Sequence, residues 1–332
     1  LTKLIDLEQA GVTIPKSVDF HNDNLLVGLR TGQIIEYKNC LAADNLEANL
    51  LMQSHYDGET WGMVQVDDQR IVTCGDDNRI MLFNTETLKC EKTAKISDKK
   101  AKPNKEKATA STSVSKPEWN KMARGMAISE KHRHLAIGNL YGKVSIRSLD
   151  DMTTKIASCK QMKEWCECLA YSPDESYLAV GSHDNAIYVY SVEEGAYKLF
   201  CKFDKHSSFV NSLDWSEDGA YIRSSDGSHE VLYFSLESKA QDPHGASNCK
   251  DMAWASHNIK HGADRKGIWP PGEDKTHVND VTLSEDGTTL LSGDDFGLVN
   301  LFKYPATEFG TGSRSYAGHS EHVTRVCFSK DG

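Results

Sequence analysis

VGSHDNAIYVY, residues 180–190, carries a complete β-hairpin. A small apolar run ends at Gly181, a polar turn crosses Ser182-His183-Asp184-Asn185, and a second run starts at Ile187. In that run Ile187 and Val189 fall on one face and Tyr188 and Tyr190 on the other, the period-two spacing of a pleated strand. Asp184 and Asn185 suit the turn because short polar side chains bond the local backbone and tolerate left-handed φ.

Working outward, the same hairpin returns along the chain. It reads LLVGLRTGQIIEY from Leu25 to Tyr37, IVTCGDDNRIMLF from Ile71 to Phe83 and LAIGNLYGKVSIR from Leu135 to Arg147. Further on it reads IRSSDGSHEVLYF from Ile222 to Phe234 and LLSGDDFGLVNLF from Leu290 to Phe302. Three of the five spacings lie close to about 40–45 residues, the period of a four-stranded propeller blade. The other two are long and call for insertions.

A third strand with its own signature stands upstream of several hairpins: CLAYSPD (Cys168–Asp174), VNSLDWSEDG (Val210–Gly219) and VNDVTLSEDG (Val278–Gly287). A last copy, VTRVCFSKDG, runs from Val323 to Gly332. His55, His206 and His319 each precede such a strand. This is the layout of WD40 repeats, in which a histidine joins a turn aspartate and a strand serine in one network. The expected fold is therefore all-β, a WD40-type β-propeller of six recognisable blades plus the start of a seventh. A single domain over residues 1–332 is expected, with its last blade truncated. The match is degenerate. Asp77 and Asp184 alone fill the turn position, and its equivalents are Thr31, Tyr141, Ser228 and Phe296. No closing position holds Trp, and the third holds Arg147. A structural role is expected for Asp77, Asp184, His55, His206 and His319, in preference to catalysis or metal binding.

The first insertion is expected as a basic loop over 92–121. KTAKISDKKAKPNKEK (Lys92–Lys107) holds seven lysines against Asp98 and Glu106. A tract of this kind cannot bury itself and reads as a solvated loop. Its functional alternative is a tether for an acidic partner surface, carried by Lys99, Lys100, Lys102, Lys105 and Lys107. The second is a long connection over 238–276, with a fourth strand expected at KDMAWAS (Lys250–Ser256) and a rigid crossover at GIWPPGED (Gly267–Asp274). Trp269 is expected to pack over a blade.

The chain has 332 residues, is 39% hydrophobic and carries a net charge of −10, which gives no general attraction to nucleic acid or anionic membrane. It opens on Leu1 and ends at Gly332 inside a turn signal, so a piece of a longer chain is expected. Nine scattered cysteines favour reduced, buried thiols in a cytosolic protein over a disulfide framework. Cys166 and Cys168 are expected on one face of a strand. There is no phosphate-binding glycine loop with its lysine, no HExxH and no nucleophile elbow. No catalytic residue, cofactor or metal ligand is nominated.

GSHDNAIYVY (181–190), HSSFVNSLDWS (206–216), DMAWAS (251–256), GIWPPGEDKTHVNDV (267–281), LSGDDFGLVNLFKYP (291–305) and YAGHSEHVTRV (316–326) are more specific than a generic repeat. Here the chain resembles the echinoderm microtubule-associated protein-like family, in the second propeller of its tandem atypical propeller module. The lysine-rich insert departs from that pattern. The resemblance implies a non-catalytic protein that binds tubulin or the microtubule lattice, in the cytoplasm and cytoskeleton or in the cilium and axoneme. It also implies a preceding propeller in the full-length chain and other axonemal partners. The competing expectation is a general WD40 scaffold that recruits non-tubulin partners.

Overall fold

The computed structural model describes residues 14–42, 46–96, 122–270, 272 and 275–329. Six antiparallel sheets of four strands follow one another along the chain. The first holds β1 (Pro15–His21), β2 (Asn24–Leu29), β3 (Gln33–Tyr37) and β4 (Ala48–Gln53). The second holds β5 (Thr60–Asp67), β6 (Arg70–Gly75), β7 (Arg79–Asn84) and β8 (Cys90–Lys95). The third holds β9 (Ala123–Ser129), β10 (His134–Asn139), β11 (Val144–Ser148) and β12 (Lys155–Cys159). The fourth holds β13 (Cys166–Tyr171), β14 (Tyr177–Ser182), β15 (Ala186–Glu193) and β16 (Ala196–Phe203). The fifth holds β17 (Val210–Trp215), β18 (Tyr221–Asp226), β19 (Val231–Ser235) and β20 (Ala240–Gln241). The sixth holds β21 (Val278–Leu283), β22 (Thr289–Asp294), β23 (Leu298–Lys303) and β24 (Ser313–Ala317).

Every repeated hairpin forms the two middle strands of its own sheet, as the period requires. The architecture is a WD40-type β-propeller. Both faces of the central sheets are buried because sheet packs on sheet. Val72, Cys74 and Ile80 meet Met126, Leu135 and Ile137 between the second and third sheets. Ala136 and Ile146 meet Val180 and Tyr190 between the third and fourth, and Ala179 and Val189 meet Leu213, Trp215 and Phe234 between the fourth and fifth. The fit is close: a Cβ at Gly125 on β9 would sit 2.3 Å from the Glu167 carbonyl oxygen of the next sheet. Arg147 replaces the aromatic at its closing position and stays buried by donating to the carbonyls of Met152, Thr153 and Ile96.

The inner strands enclose a central channel of about 670 Å³. Its wall is built from β5, β9, β13, β17 and β21, and from two stretches that are not strands, Ala255–Asn258 and Arg325–Cys327. The second continues the seventh-blade signature and packs Val323 and Val326 against Leu291. The first sheet stands apart from the wall. All seven residues of β1 are exposed, and its core of Leu25, Val27, Leu29, Tyr37 and Cys40 draws on its own strands and the adjoining Leu46.

Three local expectations are corrected. Residues 92–95 of the expected insertion belong to β8, paired with β7. KDMAWAS is not a fourth strand: β20 takes that place, and Trp254 instead makes an isolated bridge to Ser216 beyond the end of β17. Cys166 and Cys168 do not share a face. A bulge shifts the register between them, so Cys166 enters the core toward the third sheet and Cys168 the core toward the fifth.

Candidate interaction face at the channel mouth

In a four-stranded antiparallel blade the turn between the middle strands and the connection to the next blade open at the same end. That end of the channel concentrates aromatic and polar side chains. Sequence periodicity misses them because each inner strand is bulged just there. Register shifts fall between Thr60 and Gly62, Cys166 and Cys168, Val210 and Ser212, and Val278 and Asp280. The extra residues are Trp61, Glu167, Asn211 and Asn279; on β9 the shift covers Arg124 and Gly125. A bulge re-aims its extra side chain.

The rings form an arc. Trp61 lies edge-on to Trp165 at 6.5 Å, Trp165 stacks on His183 at 4.8 Å, and His183 stacks on Phe209 at 4.6 Å. The Arg124 guanidinium sits over both indoles, 4.6 Å from Trp61 and 5.0 Å from Trp165, and pairs with Asp76. On the far side His229, His261, Trp269, His277 and Phe296 continue ring to ring. Trp269 is buried over the sixth sheet, as expected. Tyr56, Tyr141, Phe209 and Phe296 are exposed at this same end.

Below the rings the channel is charged. Arg325 donates to the Trp61 carbonyl at 3.0 Å, the Asp280 carboxylate at 3.2 Å and the Glu167 carbonyl at 2.9 Å. Burial pushes the Asp280 carboxyl up despite that guanidinium. For Glu167 burial also works against charge, but the His183 hydrogen bond and the Lys260 and Arg325 charges outweigh it and hold the carboxyl below its ordinary value. Burial pushes the Cys168 thiol up to about 12, which makes it inert.

The residues named from the sequence divide. His55 bonds Asp77 at 2.9 Å and Thr73 at 2.9 Å. His206 bonds Ser224 at 2.7 Å and Asp226 at 3.2 Å, and Ser228, an exposed residue, joins only through its backbone amide. His206, Asp226 and Glu230 bring ligand-type atoms within 4.8 Å of one another. Both ring nitrogens of His206 are already engaged, so this is a hydrogen-bond network. Asp184 joins no histidine: it accepts from the Lys163 amide at 2.9 Å and the Tyr188 hydroxyl at 2.8 Å. His319 is exposed. Lys99, Lys100, Lys102, Lys105 and Lys107 lie outside the described residues.

Sequence reasoning missed that Asn139, Asp226 and Asp294 do the turn's work in three blades. Each stands two positions before the expected aspartate. Each accepts amides two and four residues on: Tyr141 and Lys143, Ser228 and Glu230, Phe296 and Leu298. The signal was present as an Asp or Asn closing the strand.

The fold defines a repeat propeller whose channel mouth is lined with stacked rings and hydrogen-bonded polar groups. Residues 61–332 match the family model described as the echinoderm microtubule-associated protein second beta-propeller, opening at Trp61 on β5. The chain belongs to the echinoderm microtubule-associated protein-like family. It is 39% identical to the ciliary WD repeat-containing protein ctxp80 of Euplotoides octocarinatus over 95% of its own length and 43% of the relative's. It is 33% identical to echinoderm microtubule-associated protein-like 2 of Rattus norvegicus, covering 93% and 43% of the two chains. It is 34% identical to the 77 kDa echinoderm microtubule-associated protein of Strongylocentrotus purpuratus, covering 89% and 40%. The chain thus spans less than half the length of these relatives.

Proposed function

We propose that this propeller is a non-catalytic microtubule-binding module that docks on the tubulin lattice, including that of ciliary doublets, with other axonemal proteins as further partners. Its place is the cytoplasmic and ciliary cytoskeleton, and a preceding propeller adjoins it in the full-length chain. The observation that carries this reading is kinship: relatives named as microtubule-associated and ciliary match nearly the whole chain. The mouth geometry agrees with it, being built of rings and engaged polar groups.

The lysine-rich segment supplies local attraction. A propeller with a net charge of −10 is repelled on average by an acidic filament, so contact depends on positive patches. Co-sedimentation with taxane-stabilised microtubules tests both points. Wild type is expected to pellet. The variant with Lys99, Lys100, Lys102, Lys105 and Lys107 all changed to Ser is expected to pellet less at low salt with an unchanged melting temperature. The two should converge at high salt, because exposed charges are screened beyond about 8 Å at physiological ionic strength. Equal pelleting at low salt returns the segment to a solvated spacer. No pelleting of either protein favours the alternative, a scaffold for non-tubulin partners.

A further inference from the structure

Lys260 is a buried cation without an acceptor. The residue keeps only 8% of its surface open, and among the described residues its ammonium makes no hydrogen bond and no ion pair. Its place in the chain sets it at the mouth. From Trp254 the backbone runs back along β17: the Ala255 amide donates to the Trp215 carbonyl at 2.9 Å, and the Asn258 and Ile259 amides donate to the Asp214 carboxylate at 2.7 and 3.3 Å. One residue beyond Lys260, the His261 ring meets His229 at 4.6 Å, in the turn between β18 and β19. Lys260 thus stands where the irregular wall reaches the mouth. Its charge acts on Glu167 of β13 and Asp280 of β21, one on either side of β17, so the ammonium faces the channel.

Both carboxylates are already engaged. Asp280 accepts from Arg325 at 3.2 Å and from the Val326 amide at 2.9 Å, and Glu167 is hydrogen-bonded to His183 at 2.5 Å. A second donor is free on the same wall. Asn211, the bulged residue of β17, lines the channel and is 7% exposed. Its carbonyl oxygen accepts from the Ser212 and Ser225 hydroxyls at 3.1 and 3.0 Å, which fixes the amide. Its Nδ2 has no acceptor among the described residues. Donors on buried side chains are costly until an acceptor reaches them. A carboxylate answers both, being negative and able to accept several hydrogen bonds at once. Across Glu167, the Trp165, His183 and Phe209 rings stack in a row that ends on Phe209, 40% exposed. A lone anion would leave that row in water, whereas a polypeptide segment would cover it.

We propose that this mouth receives an acidic side chain of a partner protein, its carboxylate taken by Lys260 with Asn211 as second donor and its backbone laid over the Phe209 and His183 rings. The site does not depend on the filament reading above and serves any partner segment that presents Asp or Glu. Anisotropy of a fluorescein-labelled Glu-Gly repeat peptide at physiological salt tests it. The background is the protein with Lys99, Lys100, Lys102, Lys105 and Lys107 changed to Ser, so that the basic segment cannot capture the probe. The Glu-Gly peptide should bind more tightly than its Gln-Gly counterpart. Lys260→Met keeps the buried stem, removes the charge and should weaken binding about tenfold or more. Asn211→Asp keeps the acceptor for both hydroxyls, puts a negative oxygen in place of the free amide and should weaken it about three- to tenfold. Lys198→Gln, an equal loss of charge on the outer strand β16, should leave binding unchanged. Melting curves separate folding from binding, and Asn211→Asp tests the site even where Lys260→Met lowers the melting temperature. Equal binding of the two peptides, no loss in either mouth variant, or equal weakening by Lys198→Gln overturns the proposal. Displacement of the peptide by acetate at the peptide's own concentration would reduce the site to a small-anion pocket and overturn it too. No filament enters this assay, so its failure and a failure to pellet with microtubules are read separately.

Discussion

Asp184 shows how one carboxylate can leave the expected network and still hold its turn. It binds the Lys163 amide in the preceding connection and the Tyr188 hydroxyl across the hairpin. Asn185 follows at φ +64, the left-handed position its side chain tolerates. Asp184→Ala is therefore expected to lower stability by about 1–3 kcal/mol, the cost of stranding partly buried donors. Ser228→Ala, at an exposed site whose aligned role has moved to Asp226, should cost less. Urea titration of both variants measures the difference, and equal losses would refute the residue assignment. The same scale explains the cysteines. Period-two counting puts Cys166 and Cys168 on one face, and one bulged residue puts them in different cores.

At the scale of elements, the stretch after β20 replaces a blade strand with an irregular wall. Its anchor is Asp214, fully buried on β17. That carboxylate accepts from Arg223 at 3.0 Å, the Ser256 hydroxyl at 2.6 Å, the Asn258 amide at 2.7 Å and the Ile259 amide at 3.3 Å. Arg223 in turn lies 4.3 Å over Trp254. Downstream, Gly267 donates to the Ala306 carbonyl at 2.7 Å, and a Cβ there would come within 2.3 Å of the Thr311 hydroxyl. Backbone that forms no ladder must find its partners in side chains, which is why buried Asp214 and Arg223 are tolerated. Asp214→Ala leaves Arg223 buried without its charge partner and should cost about 3–5 kcal/mol. Hydrogen exchange should then rise at residues 255–259 before it rises in β17–β19. Uniform exchange across the fifth sheet would show that Asp214 supports the whole blade instead.

For the whole molecule, four histidines are held neutral by their surroundings. Burial pushes His134, His206 and His257 below their ordinary value, and burial together with the His229 and Lys260 charges lowers His261 to about 3. A base whose folded pKa is depressed takes up its proton first in the unfolded chain. Stability is thus full above the ordinary histidine value and falls as pH drops below it, continuing toward the folded pKa. The urea midpoint should decline between about pH 6.5 and about pH 4.5, before unfolded-state carboxylates titrate. His261→Gln should flatten that decline whatever it does to the midpoint at neutral pH. An unchanged slope would mean that His261 is solvated in the fold.

What the chain alone determined was the repeat. Alternation, turn residues at fixed offsets and a period near one blade place the six hairpins, because these depend on neighbours along a strand. The same local reading named His55 and Asp77 as network residues and set Trp269 over a blade; that the two share a hydrogen bond is read from the structure. The tertiary structure decided what depends on neighbours across blades. Bulges aim Trp61, Arg124 and Glu167 into the mouth, Asp214 gathers a wall from residues far along the chain, and Arg325 spans the channel from the ring's closing segment to β5, β13 and β21. None of these has a period to read. Each follows from the need to satisfy buried polar groups where strand pairing stops, and that need exists only once the ring is closed.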